Sequence, residues 1–133
     1  MRVFVSTLAA CLLPLGAEGS ADGYGSSNSP AHAEADRPAG TWAVVVVDYD
    51  DVSRKVSIAV NQADTFAEQV KSVNHPVEAS SYFEVGYHGS VNGLRASKVG
   101  DVYIFNQSLR TSPTGQAKLS QLVAALKAEY SIT

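Results

Sequence analysis

Residues 42–47 read Trp-Ala-Val-Val-Val-Val and are apolar at every position. Valine is β-branched, and both faces of an extended segment here would be apolar. The run therefore predicts a buried β-strand rather than a half-exposed one. The acidic residues 48–51, interrupted only by Tyr49, end this strand. We accordingly place the start of the folded domain at Thr41.

The next segment predicts a second strand and a hairpin. Over residues 52–60, larger residues alternate in size and polarity with Ser53, Lys55, Ser57 and Ala59, which is the pattern of a strand. Val52, Val56, Ala59 and Ala63 also fit helical spacing, so a helix from Asp51 onward is the alternative. We prefer the strand.

From Asn61 the spacing of apolar residues changes to that of a helix. Thr65 and Glu68 offer a capping pair, and His75-Pro76 stops the helix. Its predicted apolar face consists of Ala63, Phe66, Ala67, Val70 and Val73.

Two strands and a C-terminal helix complete the predicted order. The strands cover residues 80–87 and 101–106, and Gly89, Asn92, Gly93 and Gly100 mark the loop between them. For the helix, Ser112 is the expected cap and Pro113 the first helical residue. Its apolar stripe comprises Leu119, Leu122, Val123, Leu126 and Tyr130.

These elements predict a single α+β domain over residues 41–133. Its antiparallel sheet consists of two hairpin-like strand pairs packed against one helix, with a further amphipathic helix at the C-terminus. Residues 22–40 are rich in Gly, Ser, Ala and Pro, and we expect a flexible leader there.

The N-terminus has the composition of a secretory signal over residues 1–21. Arg2 precedes an apolar run at residues 3–15, and small residues follow up to Ala21, after which we expect cleavage. The run is shorter than the roughly 20 residues of a membrane-spanning helix, so we expect no membrane span. A buried N-terminal strand is one alternative, and the lipoprotein-like box at residues 8–11 is another. Cleavage removes Cys11, the only cysteine, and leaves a secreted, disulfide-free domain.

Composition and motifs offer little support for metal or cofactor chemistry. The formal net charge of −3 provides no general footprint for nucleic-acid phosphates. The acidic residues after the first strand lack the central glycine and closing glutamate of a calcium loop, and the three histidines are not at ligand spacing. We expect no metal and no cofactor. Asn106-Gln107-Ser108 is a candidate N-glycosylation site.

Residues 81–84 (Ser-Tyr-Phe-Glu) and 101–106 (Asp-Val-Tyr-Ile-Phe-Asn) together resemble two strands of the fungal extracellular guanyl-specific ribonucleases. The separation between Glu84 and Asp101 is close to that of the family. The resemblance implies that Glu84 corresponds to the catalytic base and His75 to an early histidine. The family's catalytic arginine is replaced by Val102 and its acid histidine by Pro113.

The resemblance, with these replacements, implies a ribonuclease-like secreted virulence effector that has lost catalysis. Such a protein would be a non-enzymatic interaction protein acting on a host or extracellular protein, or on RNA. The expected binding surfaces are the sheet face with Tyr82, Glu84 and Tyr103, and the loop with His88, Arg95 and Lys98.

Three other interpretations remain open at this stage. The first is an active extracellular RNase that uses Glu84 as base, with Arg95 and His88 recruited from the loop. The second is a secreted inhibitor or accessory factor of an extracellular enzyme. The third is purely structural: the strand residues belong to an ordinary sheet, and Glu84 faces solvent.

Overall fold

A computed structural model describes residues 4–12, 19–23, 31–35, 41–50, 52–70, 87–88, 91–92 and 98–133. The segments before residue 41 and those at 87–92 are described by their backbone pairing.

The described elements form an α+β fold with an antiparallel sheet and a C-terminal helix, as the sequence predicts. The main sheet has five strands in the order β6-β5-β4-β1-β9, and two-stranded ribbons join β2 to β3 and β7 to β8. The strands are β1 (Phe4–Leu12), β2 (Gly19–Gly23), β3 (Ala31–Ala35), β4 (Trp42–Asp50), β5 (Lys55–Val60), β6 (Ala67–Val70), β7 (Tyr87–His88), β8 (Val91–Asn92) and β9 (Lys98–Phe105). A short 3₁₀ helix (Leu109–Thr111) precedes α1 (Pro113–Glu129).

The predicted hairpin of β4 and β5 is confirmed, and residues 55–60 are a strand rather than a helix. The Asp50 carboxylate accepts hydrogen bonds from the Val52 backbone N–H (3.0 Å) and the Ser53 hydroxyl (2.6 Å). This local bonding closes the turn, in which Arg54 adopts a positive φ of 59°. β4 packs on both faces: Val44 and Val46 belong to the core under α1, while the partly buried Val45 and Val47 pack with Val56 and Ile58.

The helix predicted from Asn61 onward is wrong for the part that the structure describes. Residues 61–66 are irregular, and β6 follows at Ala67–Val70, paired antiparallel with β5. Pairing with β6 satisfies backbone groups of β5, and Glu68 forms ion pairs with Lys55 and Arg110. These tertiary contacts outweigh the helical spacing of the apolar residues. Residues 71–76, where that helix was expected to end, lie outside the described residues.

Of the second predicted strand pair, the later strand is confirmed and is longer than expected. β9 begins at Lys98 instead of Asp101 and contains an irregularity in its register with β1 between Ala9 and Cys11. Most of the strand predicted at residues 80–87 lies outside the described residues. Tyr87 lies in β7, which pairs with β8.

The C-terminal helix is confirmed with its cap. The Ser112 hydroxyl accepts from the Gly115 backbone N–H at 3.1 Å, and Pro113 occupies the first turn. Gly115 is required because a Cβ there would collide with the Leu109 carbonyl. The buried face of α1 packs on β4 and β5 in one core cluster of Val44, Val46, Ala59, Leu109, Leu119, Val123 and Leu126.

The N-terminal apolar run forms the strand β1, which lies between β4 and β9. This is the arrangement of the N-terminal-strand alternative, whereas signal cleavage and secretion stay predictions about processing. β2, at the junction of the predicted signal and leader, pairs with β3 in the leader, and both lie against β5. Among the described residues, no helix combines the length and the apolar character needed to span a membrane.

Candidate functional site

The structure places some of the predicted site residues on or beside one strand. Lys98 begins β9, Tyr103 lies within it, and Asn106 follows it with an exposed side chain. His88 lies in β7, which pairs antiparallel with β8. Tyr82, Glu84, Arg95 and His75 lie outside the described residues, so their predicted roles stay predictions.

β9 carries large apolar side chains that remain in contact with solvent. Their exposed fractions are 42% for Val99, 40% for Val102, 39% for Tyr103 and 60% for Ile104. We call the three aliphatic residues, Val99, Val102 and Ile104, the β9 surface. An exposed apolar cluster on a soluble domain commonly marks a binding site. Tyr103 was expected to be a binding residue, whereas Val102 was noted only at the arginine position of the resemblance and Val99 and Ile104 were not singled out.

The register explains why the aliphatic residues share one face. Val99, Val102 and Ile104 lie opposite Cys11, Ala9 and Thr7, which alternate along β1. Opposed residues project to the same side of a sheet, and the register irregularity keeps Val99 in step with the other two. The same β1 positions lie opposite Ala43, Val45 and Val47 of β4, on the side away from α1. Tyr103 projects to the α1 side.

β9 is also the last strand of the described sheet, with β1 as its neighbour on one side only. An edge strand presents a row of backbone N–H and C=O groups that can pair with another chain. Natural proteins usually protect such edges with charges. Here the charged residues of β9 are Lys98 and Asp101, both near its beginning.

The beginning of β9 is attached to the end of α1 by Tyr130. The Tyr130 hydroxyl donates to the Asp101 carboxylate at 3.0 Å and accepts from the Asp101 backbone N–H at 3.2 Å. The hydrogen bond to the carboxylate raises the pKa of the Tyr130 phenol. Gly100 allows this approach, because a Cβ there would overlap the Tyr130 ring. The Tyr130 ring also packs on Trp42, with 4.6 Å between ring centroids.

A second candidate site is a polar cleft of about 230 Å³ at the other end of β4. It lies where the hairpin turn, β6 and the 3₁₀ helix meet. Its lining residues are Asp48, Asp50, Ser53, Lys55, Glu68, Ser108, Arg110 and Thr111. The prediction that residues 48–51 end the first strand is wrong, because β4 continues to Asp50 and Asp48 is buried. Ser108 was noted only in the glycosylation triplet, and Arg110 was not singled out.

Hydrogen bonds and ion pairs join the charged groups of the cleft to one another. The Ser108 hydroxyl donates to the buried Asp48 carboxylate at 2.9 Å. Arg110 Nη1 donates to the Ser57 hydroxyl at 2.6 Å, and Arg110 Nη2 pairs with Glu68. Lys55 Nζ lies 2.6 Å from Glu68 Oε2. The cleft therefore joins β4, β5 and β6 to the 3₁₀ helix.

The ion pairs of the cleft also affect the charge state of Glu68. The hydrogen bond from Lys55, followed by that from Arg110, lowers the pKa of the Glu68 carboxyl, which keeps it ionised rather than ready to donate a proton. The Arg110 guanidinium also lies 3.9 Å from the centroid of the Phe66 ring. In the part of the chain that the structure describes, no group of three His, Cys, Asp or Glu residues could hold a metal ion.

Two positions matter for the resemblance to guanyl-specific ribonucleases. Val102, at the arginine position, is an exposed aliphatic residue of β9. Pro113, at the acid-histidine position, is the first residue of α1. Neither side chain can donate a proton or a hydrogen bond to a phosphate.

No family model, no curated protein and no solved structure matches this chain. Fold and site alone therefore define its class: an α+β domain with an apolar edge strand on one side of the sheet and an internally paired polar cleft at one end.

Proposed function

We propose that the chain is a secreted, non-enzymatic interaction protein that binds a protein partner through the β9 surface. The observation that carries this proposal is the exposure of Val99, Val102 and Ile104 along one face of an edge strand. Burial of such side chains by a partner is worth about 1.5–3 kcal/mol each when complete. The open backbone of β9 would add main-chain hydrogen bonds by strand addition.

The chemistry of the surface favours a protein over RNA. Affinity for nucleic acid depends mainly on cations that neutralise phosphates. Lys98 is the cation at the start of β9, and the chain as a whole has a formal charge of −3. Tyr103 could stack on a base, but the three aliphatic neighbours suit an apolar protein surface better.

The resemblance to ribonucleases adds a more specific proposal, a virulence effector that acts on a host protein. Support for lost catalysis comes from Val102 and Pro113, which cannot replace arginine and histidine. The polar cleft offers no substitute, because its arginine already binds Ser57 and Glu68.

Site-specific photo-crosslinking tests the proposal. A photoreactive phenylalanine analogue is introduced at Ile104 in the full chain, and at Val52 as a matched control. Val52 is an equally exposed aliphatic residue, at 65%, but it lies in the turn between β4 and β5. In an extract of prospective host tissue, residue 104 should give one discrete protein adduct that residue 52 does not give. Identical adduct patterns from both positions would contradict an interface at β9.

A further inference from the structure

The position of β1 in the sheet points to a specific mode of binding. We infer that removal of residues 1–21 opens a slot between β4 and β9, and that an extended apolar segment of the protein partner fills this slot in place of β1. This inference rests on the proposed function. It specifies which part of the protein partner would bind beside β9, namely an extended segment.

β1 has two neighbouring strands, so its loss would affect both. Its register with β4 runs without interruption from Phe4 opposite Asp50 to Leu12 opposite Trp42. On its other side, β1 pairs with β9 from Ser6 opposite Phe105 to Leu12 opposite Lys98. Without β1, two strands would each present an open row of backbone donors and acceptors.

The same residues form the apolar centre of the predicted secretory signal. Cleavage after Ala21 adds one water across the Ala21–Asp22 peptide bond, leaving a carboxylate on Ala21 and an amine on Asp22. Ala21 is paired with Ala33 in the ribbon of β2 and β3. A protease needs this bond in an unpaired, extended segment, so cleavage would take place before the ribbon forms and would leave only Asp22 and Gly23 of β2. The released peptide would contain all of β1.

The strands on either side of the slot remain attached to α1 when β1 is absent. β9 is held by the Asp101–Tyr130 hydrogen bonds and by Phe105, which packs against the core under α1. β4 is held by Val44 and Val46 in the same core. Because β1 is antiparallel to both, β4 and β9 are parallel to each other. Two interstrand spacings separate them, which amounts to about 10 Å.

The flanking side chains define the chemistry of the occupant. On the side away from α1, the slot is bordered by Val45 and Val47 of β4 and by Val102 and Ile104 of β9. Acidic residues of β4 lie towards one end only. β1 itself spans nine residues, Phe-Val-Ser-Thr-Leu-Ala-Ala-Cys-Leu, and contains no charge. The occupant is therefore an uncharged, mainly apolar segment of similar length, running antiparallel to both neighbours and without proline.

The experiment uses the full chain with a recognition sequence for a site-specific protease inserted between residues 12 and 19. The folded protein is cut and incubated with a fluorescent peptide of residues 4–12, and uptake is followed by anisotropy and native mass spectrometry. The cut chain should exchange its own β1 for one labelled peptide, whereas the uncut chain should not. A peptide with Leu8→Pro should not bind, because proline removes a backbone donor in mid-strand. Tyr130→Phe, which releases Asp101, should weaken uptake.

Each other outcome has a defined meaning. If the cut chain loses structure, added peptide should restore its circular dichroism, and failure to do so rejects the slot. Uptake by cut and uncut chains alike would place the peptide on the outer edge of β9 and overturn the inference. Dimers of cut chain that exclude the peptide would assign the slot to a second copy instead. A partner adduct at residue 104 without peptide uptake would reject the slot and retain the proposed function.

Discussion

Asp48 is 2% exposed, and a polar side chain removed from water in this way needs hydrogen-bond partners. Ser108, which lies 60 positions later in the chain, donates its hydroxyl to Asp48. The same hydroxyl oxygen accepts from the Arg110 backbone N–H at 3.2 Å, which caps the 3₁₀ helix. At the scale of single residues, the polar cleft thus links the sheet to the segment that leads into α1.

Replacement Ser108→Ala tests this link. Loss of one hydrogen-bond partner of a buried polar group costs about 1–3 kcal/mol, so the free energy of unfolding should fall by that amount. Ser120→Ala is the control, because Ser120 is exposed and bonds only within α1 to the Gln116 carbonyl. Its effect should stay within about 0.5 kcal/mol. Urea unfolding measures the free energy of unfolding of both variants, in protein made in bacteria so that Asn106 carries no glycan. Equal losses for Ser108→Ala and Ser120→Ala would contradict the role assigned to the Ser108 hydroxyl.

The ion pairs of Glu68 predict a pH dependence of stability. Its pKa is lowered from 4.5 in the folded protein, so ionised Glu68 stabilises the fold above that pH. The stabilisation should disappear as the pH falls below 4.5 and through the folded-state pKa. The difference in unfolding free energy between wild type and Glu68→Gln should therefore be present at neutral pH and shrink in acid.

The matched control for that series is Glu129→Gln, which removes an exposed carboxylate near the end of α1 without touching Lys55 or Arg110. Its difference from wild type should show a smaller change over the same range. A Glu68 difference that grows in acid would have the wrong sign for a lowered pKa and would contradict the ion-pair geometry.

At the scale of elements, α1 covers one side of the sheet and contributes three buried residues to the core. Leu119, Val123 and Leu126 are buried on its inner face, while Leu122 and Tyr130 are half-buried beside them. The helix ends with Ser131 in the left-handed region at φ 53°, and the Ile132 N–H bonds to the Lys127 carbonyl at 2.8 Å. Both ends of α1 are thus satisfied locally.

The depth of burial along α1 predicts a graded response to truncation. Leu119→Ala should cost about 2–5 kcal/mol, because it opens a cavity in the core. Leu122→Ala should cost less, about 1–2 kcal/mol, because part of its side chain already meets water. Chemical unfolding of the two variants measures the order. A larger loss of unfolding free energy for Leu122→Ala than for Leu119→Ala would contradict the order of burial along α1.

Elements with a local sequence signal could be predicted from the sequence, whereas elements fixed by contacts between distant residues could not. β4 and α1 were predicted well because their signals, a valine run and a capped apolar stripe, are local. β6 was missed because Glu68 pairs with Lys55 and Arg110, 13 and 42 positions away, and its local spacing is helical. The polar cleft was missed for the same reason, since Asp48, Glu68 and Ser108 meet only in the folded chain.

The β9 surface shows a different limit. The sequence marks residues 101–106 as a strand, and its alternation suggests a sheet with one covered face. Only the order of strands shows that β9 is at the edge and that Val99, Val102 and Ile104 share an open face. Lys98 and Tyr103 were predicted from the resemblance as binding residues, and both belong to this strand.

At the scale of the whole molecule, the two sides of the sheet differ. The core under α1 covers the inner side, and the β2–β3 ribbon lies against β5 and β6. β9, the last strand of the described sheet, carries the exposed residues Val99, Val102 and Ile104 on the side away from α1. The proposal of an interaction protein depends on this asymmetry, because the polar cleft is satisfied by its own ion pairs.

The most direct test of that claim is the affinity for the partner captured through residue 104, measured by calorimetry for wild type, Ile104→Lys and Val52→Lys. A lysine at position 104 would place a charge in the apolar interface. We predict at least about a ten-fold weaker Kd, equivalent to 1.4 kcal/mol. Val52→Lys, which adds the same charge at a distant exposed position, should leave the Kd within about two-fold. Unchanged affinity for Ile104→Lys, with both variants folded, would contradict the assignment of β9 as the binding surface.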